Sequence, residues 1–279
     1  MVISTPPQTR RELVLRALER GVHVVADKPL APDAATAREL AVAARAAGKV
    51  LTVYQNRRWD PDFLTLRQVA DSGELGQIFR ARLVMDQADP GTLDFDPEGG
   101  LLRDLGTHLV DQAVQLLGPV ERVDAALDWL TRDGVSADVG FSLALHHANG
   151  TSSQVSASKL CGREARLMDL YASGGSYSSA MPDRQTDQML AGQRPAADSR
   201  DWGMVGPEDF GVLRTGTGTG QRPVPPLRGN YAEYYRRLFA ALNGAGPLPV
   251  ELDEALHTIE ILDAARASDR LRRSVTLGG

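Results

Sequence analysis

Apolar and polar positions follow two different rhythms along the chain. Up to about residue 58, short β-branched runs alternate with stretches whose apolar residues fall three and four apart. Val2-Ile3-Ser4 is the first run. Thr5-Pro6-Pro7 stops it, because proline fixes φ and carries no N–H. Helical spacing then runs from Thr9 to Arg20 through Leu13, Val14, Ala17 and Leu18, with Gly21 as the end signal. His23 to Ala26 reads as a second strand, closed by Asp27-Lys28-Pro29. Asp33 to Ala47 reads as an alanine-rich helix ending at Gly48, and Val50 to Tyr54 as a third strand. Strands alternating with helices over short connections predict a parallel sheet covered by helices. Such sheets bind ligands at the carboxyl ends of their strands. Thr5-Pro6, Asp27-Lys28 and Gln55-Asn56-Arg57-Arg58 fall there.

Beyond Arg58 the rhythm changes. Asp60-Pro61 opens a helix to about Ser72, and Gln77 to Asp86 is strand-like. Gln87 to Gly100 is a loop rich in Asp, Pro and Gly. Val120–Leu130, Ala137–His147, Thr151–Leu160, Ala165–Ala172 and Ser176–Met181 read as successive strands, with Asn149-Gly150 as a hairpin turn. Gln185 to Gly220 is polar and irregular, with one short helix. Tyr231–Asn243 and Glu251–Ser268 are expected as helices, and Ser274–Leu277 as a last strand. Antiparallel strands beside a parallel unit point to a second domain built on an open sheet.

The stretch from Gly99 to Gly118, GGLLRDLGTHLVDQAVQLLG, carries the densest candidate chemistry. On a helix, Asp104, His108, Asp111 and Gln115 share one stripe, and Leu102, Leu105, Leu109, Ala113 and Leu116 the opposite one. The pattern pairs an imidazole that titrates near neutrality with a carboxylate one turn away that can orient it. Gly106 costs ~1 kcal/mol against alanine inside a helix, and it allows a close approach of another backbone or a ligand. Lys28, between a buried strand and a proline, adds an amine able to carry a proton or polarise an oxygen. Taken singly, each has a plain structural reading: a solvated helix face, or a lysine at a strand end.

Composition narrows the class. The 279 residues are 42% hydrophobic and 24% charged with net charge −5, ordinary globular values without the basic footprint of a nucleic-acid binder. One cysteine, Cys161, excludes an internal disulfide and fits a reducing compartment. No apolar run is long enough to span a bilayer, and Met1 to Pro6 is too short for a signal peptide. A cytoplasmic protein with no nucleic-acid or membrane partner is expected. No second histidine lies at ligand spacing from His108, so no metal is expected. His23, His146, His147 and His257 read as structural. Tyr231, Tyr234 and Tyr235 share one helix segment, where a phenol on a cavity wall can bind a hydroxylated substrate. No Gly-x-Ser-x-Gly motif supports a nucleophilic serine. The glycine cluster Gly216 to Gly220 has the wrong spacing for a phosphate-binding turn and precedes Pro223, Pro225 and Pro226, so it reads as a flexible loop.

Three segments together resemble the Gfo/Idh/MocA oxidoreductase family. They are the strand ending in Thr5-Pro6, the His-Val-x-x-Asp-Lys-Pro turn from His23 to Pro29, and the Asp-x-Gly-x-His-x-x-Asp helix from Asp104 to Asp111. Tyr54 to Asp60, Asp27, Gly229 to Tyr235 and Pro247 to Ala255 resemble its NADP-dependent scyllo-inositol dehydrogenase branch. Pro7 and Arg10 depart from it, standing where the family has Asn and often His. The resemblance implies an α/β fold: the C-terminal part of a Rossmann-like parallel sheet (residues 1–57), then an α+β substrate-binding and dimerisation domain with an open, mostly antiparallel sheet (58–279). It implies that the first half of the cofactor sheet, on the order of 60–70 residues at ~30 per βαβ unit, is missing. It assigns Lys28, His108 and Asp104 to catalysis. Thr5, Pro6, Asp27, Lys28, Gln55 and Arg58 fall near NADP or NAD, and Lys28, Asp104, His108 and Tyr235 near substrate. The implied activity is NAD(P)-dependent oxidation of a secondary alcohol on a sugar or polyol, in a homodimer or larger homo-oligomer. The alternatives are a non-catalytic remnant acting as a dimerising module, and a nicotinamide-dependent glycoside hydrolase.

Overall fold

A computed structural model describes residues 1–96, 99–195, 201–216 and 220–278. The first segment builds β1 (Val2–Ile3), α1 (Pro7–Glu19), β2 (Val24–Ala26), α2 (Ala34–Ala47) and β3 (Leu51–Val53). The strands pair in parallel in the order β1-β2-β3. Local chemistry explains the boundaries. Pro7 sits in the first turn of α1, where a missing N–H costs nothing. The Asp33 side chain accepts from the Thr36 N–H at 2.7 Å and caps α2. Gly48, at φ +60°, ends that helix in the left-handed region. All of β2, together with Leu51 and Val53 of β3, is buried under the two helices.

The chain continues through a 3₁₀ turn (Asn56–Trp59), α3 (Pro61–Asp71), β4 (Ile78–Asp86), a π-helical turn (Leu102–Gly106) and α4 (Thr107–Leu117). β5 (Val120–Arg132), β6 (Val135–His147), β7 (Ser152–Ser158), β8 (Ala165–Ala172) and β9 (Gly175–Ser179) follow. Then come α5 (Arg184–Leu190), β10 (Gly211–Thr215), β11 (Gly220–Val224), α6 (Ala232–Leu242), α7 (Leu252–Leu271) and β12 (Val275–Thr276). Among the described residues nine strands form one sheet, ordered β11-β10-β9-β8-β4-β7-β6-β5-β12. Only β4 and β7 run parallel within it. One face packs Leu83, Phe141, Leu143, Val155 and Met168 against Leu102, Leu105, Leu109 and Ala113, and against Ile261 and Leu262 of α7. The other carries Arg80 over the Tyr171 ring and an Arg82–Asp169 ion pair at 3.7 Å.

A second core gathers on the small sheet, and it takes in Trp59, Tyr231, Tyr234, Leu238 and Val250. α6 and the first turns of α7 thus return to the N-terminal unit. Two expectations need correction. The polar stretch after Gln185 contains two strands, β10 and part of β11. Pro223 is accommodated in β11 because that strand is the sheet edge, where a missing N–H is tolerated. Of the Gly216 to Gly220 cluster, residues 217–219 lie outside the described residues. The helix bearing His108 is not regular from its start either: Leu102 to Gly106 forms a widened π turn. Its polar stripe is not a solvated face, since His108 and Asp111 are buried and Asp104 and Gln115 half-buried. No helix among the described residues is long and apolar enough to cross a membrane.

Candidate active site

The carboxyl ends of β1, β2 and β3 lie side by side because the strands are parallel and adjacent. A buried guanidinium organises the turns beyond them. Arg10, on α1, donates to the carbonyl of Thr5 at 2.8 Å and to those of Asp27 and Pro29. This residue, which departs from the family pattern, therefore ties the turn after β1 to the turn after β2. Asp27 is engaged locally: its Oδ1 accepts from the Lys28 N–H and its Oδ2 from the Ser4 hydroxyl, both at 2.8 Å. The Lys28–Pro29 peptide is cis.

Lys28 reaches across to the π turn. Its Nζ donates to Asp104 Oδ1 at 2.5 Å and to the Asp104 carbonyl at 3.0 Å. Two residues 76 apart in sequence, on different sheets' elements, thus meet as the family motifs imply. The second carboxylate oxygen, Oδ2, accepts from Lys159 Nζ at 3.0 Å, and that ammonium also donates to the Thr92 carbonyl at 3.3 Å. Burial alone would raise the Asp104 pKa, but Lys28 and then Lys159 more than offset it, and the group is held well below the usual carboxylate range.

His108 is one turn on and buried. Its Nδ1 has no hydrogen-bond partner. The expectation that Asp104 orients the imidazole is therefore corrected: the two ammoniums occupy both carboxylate oxygens, and the π turn displaces Asp104 from ideal i, i+4 geometry. Burial, then Lys28 and Arg57, push the His108 pKa well below 6.5; Asp104 opposes this and Arg166 adds to it. The ring is neutral at pH 7.

Arg58 also departs from expectation. Its guanidinium is buried and engaged by Asp111 (2.8 and 2.6 Å), Glu254 (2.8 Å) and the Pro249 carbonyl (3.3 Å). It fastens α4 to the start of α7 and does not face the strand ends. Asp111 is its counter-charge, not part of the reactive group. A cleft of about 800 Å³ lies behind it, lined by Arg58, Gln115, Glu251 and Glu254, and contains none of Lys28, Asp104 or His108. Tyr235 packs on Tyr54 and Tyr234, at ring separations of 5.3 and 5.2 Å, and lies within electrostatic reach of Asp27. The histidines read as structural are so placed: the His23 and His257 rings accept from the main-chain N–H groups of Val50 and Val120, and His147 bonds Gly118 and Ser153.

Two features escaped the sequence. Lys159, near the end of the strand expected over Thr151–Leu160, is given no role there; the available signal was scarcity, since only three of the 31 lysines and arginines are lysines. The other is a buried ionic cluster beside the histidine. Arg166 pairs with Asp60, Asp62 and Asp183, while Arg57 pairs with Asp60 at 3.2 Å and Asp183 at 2.6 Å. The Tyr231 hydroxyl donates to Asp60 at 2.7 Å. No periodicity announces that residues 57, 62, 166 and 183 will converge.

With this geometry in view, the comparisons with known proteins are specific. Residues 1–55 match the oxidoreductase family with an NAD-binding Rossmann fold, and residues 63–178 match the Gfo/Idh/MocA C-terminal domain. The scyllo-inositol 2-dehydrogenase (NADP+) of Bacillus subtilis is 30% identical over 99% of this chain and 78% of its own length. The chain belongs to the Gfo/Idh/MocA family. An oxidoreductase of that architecture from Bacillus cereus superposes with a TM-score of 0.86 at 28% identity, covering 100% of this chain and 81% of the other. An oxidoreductase from Agrobacterium radiobacter, solved with NAD+, L-tartaric acid and magnesium, shares the fold at a TM-score of 0.78 and 20% identity, over 99% of this chain and 79% of its own. A nicotinamide dinucleotide is the cofactor of the Gfo/Idh/MocA family, and oxidoreduction its chemistry.

Proposed function

We propose that the protein oxidises a secondary alcohol on an inositol-like polyol or a sugar, with NADP or NAD as acceptor. The observation that carries this reading is the Lys28–Asp104 contact beside a neutral His108, at the carboxyl ends of a parallel sheet. Residues 1–57 supply the cofactor side and residues 58–279 the substrate side.

The residues present fit a nicotinamide. Thr5 Oγ1 and Gln55 Oε1 are buried without hydrogen-bond partners at the ends of β1 and β3, and buried polar atoms ordinarily find partners. Thr5, Pro6 and Gln55 would hold the ring and its carboxamide, with Asp27 shaping the turn. The bound cofactor supplies hydride acceptance. Lys28 donates an N–H to the substrate oxygen and stabilises charge developing there. His108 takes the hydroxyl proton at Nε2, since Nδ1 is sealed inside the protein. Lys28, Arg57 and Arg166 disfavour the resulting imidazolium, so the proton is passed on after the step. Tyr235, beside Tyr54 and Tyr234, offers a phenol to a substrate hydroxyl.

A consequence concerns pH. The working form of His108 is the neutral ring, and its pKa lies well below 6.5. As pH falls through 6.5 the kcat/KM for alcohol oxidation is expected to hold, and to drop only at more acidic pH. A pH profile with its acid limb at or above 6.5 would remove His108 from the proton-accepting role.

The direct test mixes the protein with NADP+ or NAD+ and a panel of inositols and monosaccharides, following reduced nicotinamide. Dinucleotide-dependent oxidation is the expected result. Failure to bind either dinucleotide, or release of sugar from an aryl glycoside without net reduction, would overturn it. The open sheet face bearing Arg80, Arg82, Asp169 and Tyr171 is the surface proposed for self-association. Sedimentation of wild type against Arg82→Glu measures that directly.

A further inference from the structure

Lys28, Lys49 and Lys159 are the only lysines in the chain, against 28 arginines. Among the described residues, every other carboxylate side chain in an ion pair faces arginine or histidine; Asp104 alone is held by ammoniums. The two groups differ chemically. A guanidinium is a planar fork suited to bidentate acceptors, whereas an ammonium is a compact donor that fits three separate directions. The surroundings of Asp104 call for the latter, because each ammonium bonds one carboxylate oxygen and one main-chain carbonyl.

Lys159 comes from the residue after β7 and its side chain is only 5% exposed. Lys28 comes from the other sheet. With both in place, neither oxygen of Asp104 is left to swing; with Oδ2 released, the carboxylate can rotate and its hold on Lys28 loosens. We propose that Lys159 is a positioning residue of the reaction: its ammonium locks the Asp104 carboxylate and so keeps Lys28 Nζ at the substrate oxygen, a task arginine cannot perform. In naming polyol oxidation as the reaction served, this rests on the function proposed above. The low pKa of Asp104, to which both lysines contribute, agrees with the bridge.

Three lysines make the test direct. Protein labelled with 13C and 15N in lysine yields three side-chain signals, assigned with Lys28→Met, Lys49→Arg and Lys159→Met. Lys159→Met and Lys159→Arg are both expected to move the Lys28 signal as Asp104→Asn does, and to leave Lys49 in place. Turnover is expected to fall on the order of 10²-fold in both, the scale of a group misplaced by about 1 Å, with KM for the dinucleotide unchanged. A Lys28 signal unmoved by either variant would overturn the positioning role. Wild-type spectra and turnover in Lys159→Arg would overturn the requirement for an ammonium. Should Lys159→Met fail to fold, the Lys159 signal in Asp104→Asn decides the matter: it moves if the bridge exists and stays if not. Absence of nicotinamide-dependent activity in the wild type refutes the polyol reading alone, because the lysine spectra are read without substrate or cofactor.

Discussion

Lys28→Met is expected to lower turnover by roughly 10²–10³-fold, the usual scale for loss of a donor that stabilises charge on the reacting oxygen, with little change in thermal unfolding. The asymmetry follows from the bridge at Asp104. Methionine keeps the length of the side chain and removes only the ammonium, while Lys159 remains to neutralise the carboxylate. No buried charge is orphaned, so the large penalty for breaking a buried pair does not arise. His108→Ala is expected to act similarly on rate. Its ring makes no hydrogen bond at Nδ1, so the fold loses packing and no buried partner. Turnover measured at saturating dinucleotide, beside a melting curve for each variant, separates the two effects. Near-normal rates in both would refute the assignment of the pair.

The largest effect on stability is expected from Arg166→Met. Arg166 faces Asp60, Asp62 and Asp183 from β8, with Asp60 and Asp62 buried and Asp183 half-buried, and among the described residues Arg57 supplies the only other cation pairing with the group. Removing one partner of such a set costs about 3–5 kcal/mol, since uncompensated charge is left in the interior. The sign of the pH dependence follows. Burial already raises the Asp60 pKa against the pull of Arg166 and Arg57, whereas these two arginines outweigh burial at Asp183 and lower it. Without Arg166 both rise. A folded state whose carboxylates titrate above their unfolded values gains relative stability as pH falls. The deficit of Arg166→Met against wild type should therefore be greatest at neutral pH and shrink toward acid. Urea unfolding at several pH values reads this, and a deficit independent of pH would show that the carboxylates do not respond to the loss.

The elements legible in the sequence are those governed by local chemistry. Asp33 and Gly48 announce the two ends of α2, and Pro7 the start of α1. The alternation of β-branched runs with helical spacing gives the parallel unit. Lys28 is legible at the end of a buried strand before a proline, yet its partner in the π turn is found only through the family motif. Features set by distant residues were not legible. Nothing near Arg166 in sequence indicates that it faces Asp60 and Asp62. The engagement of Arg58 by Glu254 requires α7 to return to the first unit, which no local pattern records. Strand β11 was not read in the sequence; its one proline, Pro223, weighs against a central strand but not against an edge. The π turn likewise has no local code here, and it alters which neighbours Asp104 meets.

Helix α7 contributes Ala255 and Ile259 to the core of the small sheet and Ile261, Leu262 and Ala265 to that of the large one. A single rigid rod is thus embedded at one end in each lobe. The lobes cannot swing widely about a flexible joint, because such a swing would have to bend that rod or pull it out of apolar surroundings. Lys28 and Asp104, which belong to opposite lobes, are for that reason kept at working distance by the architecture itself.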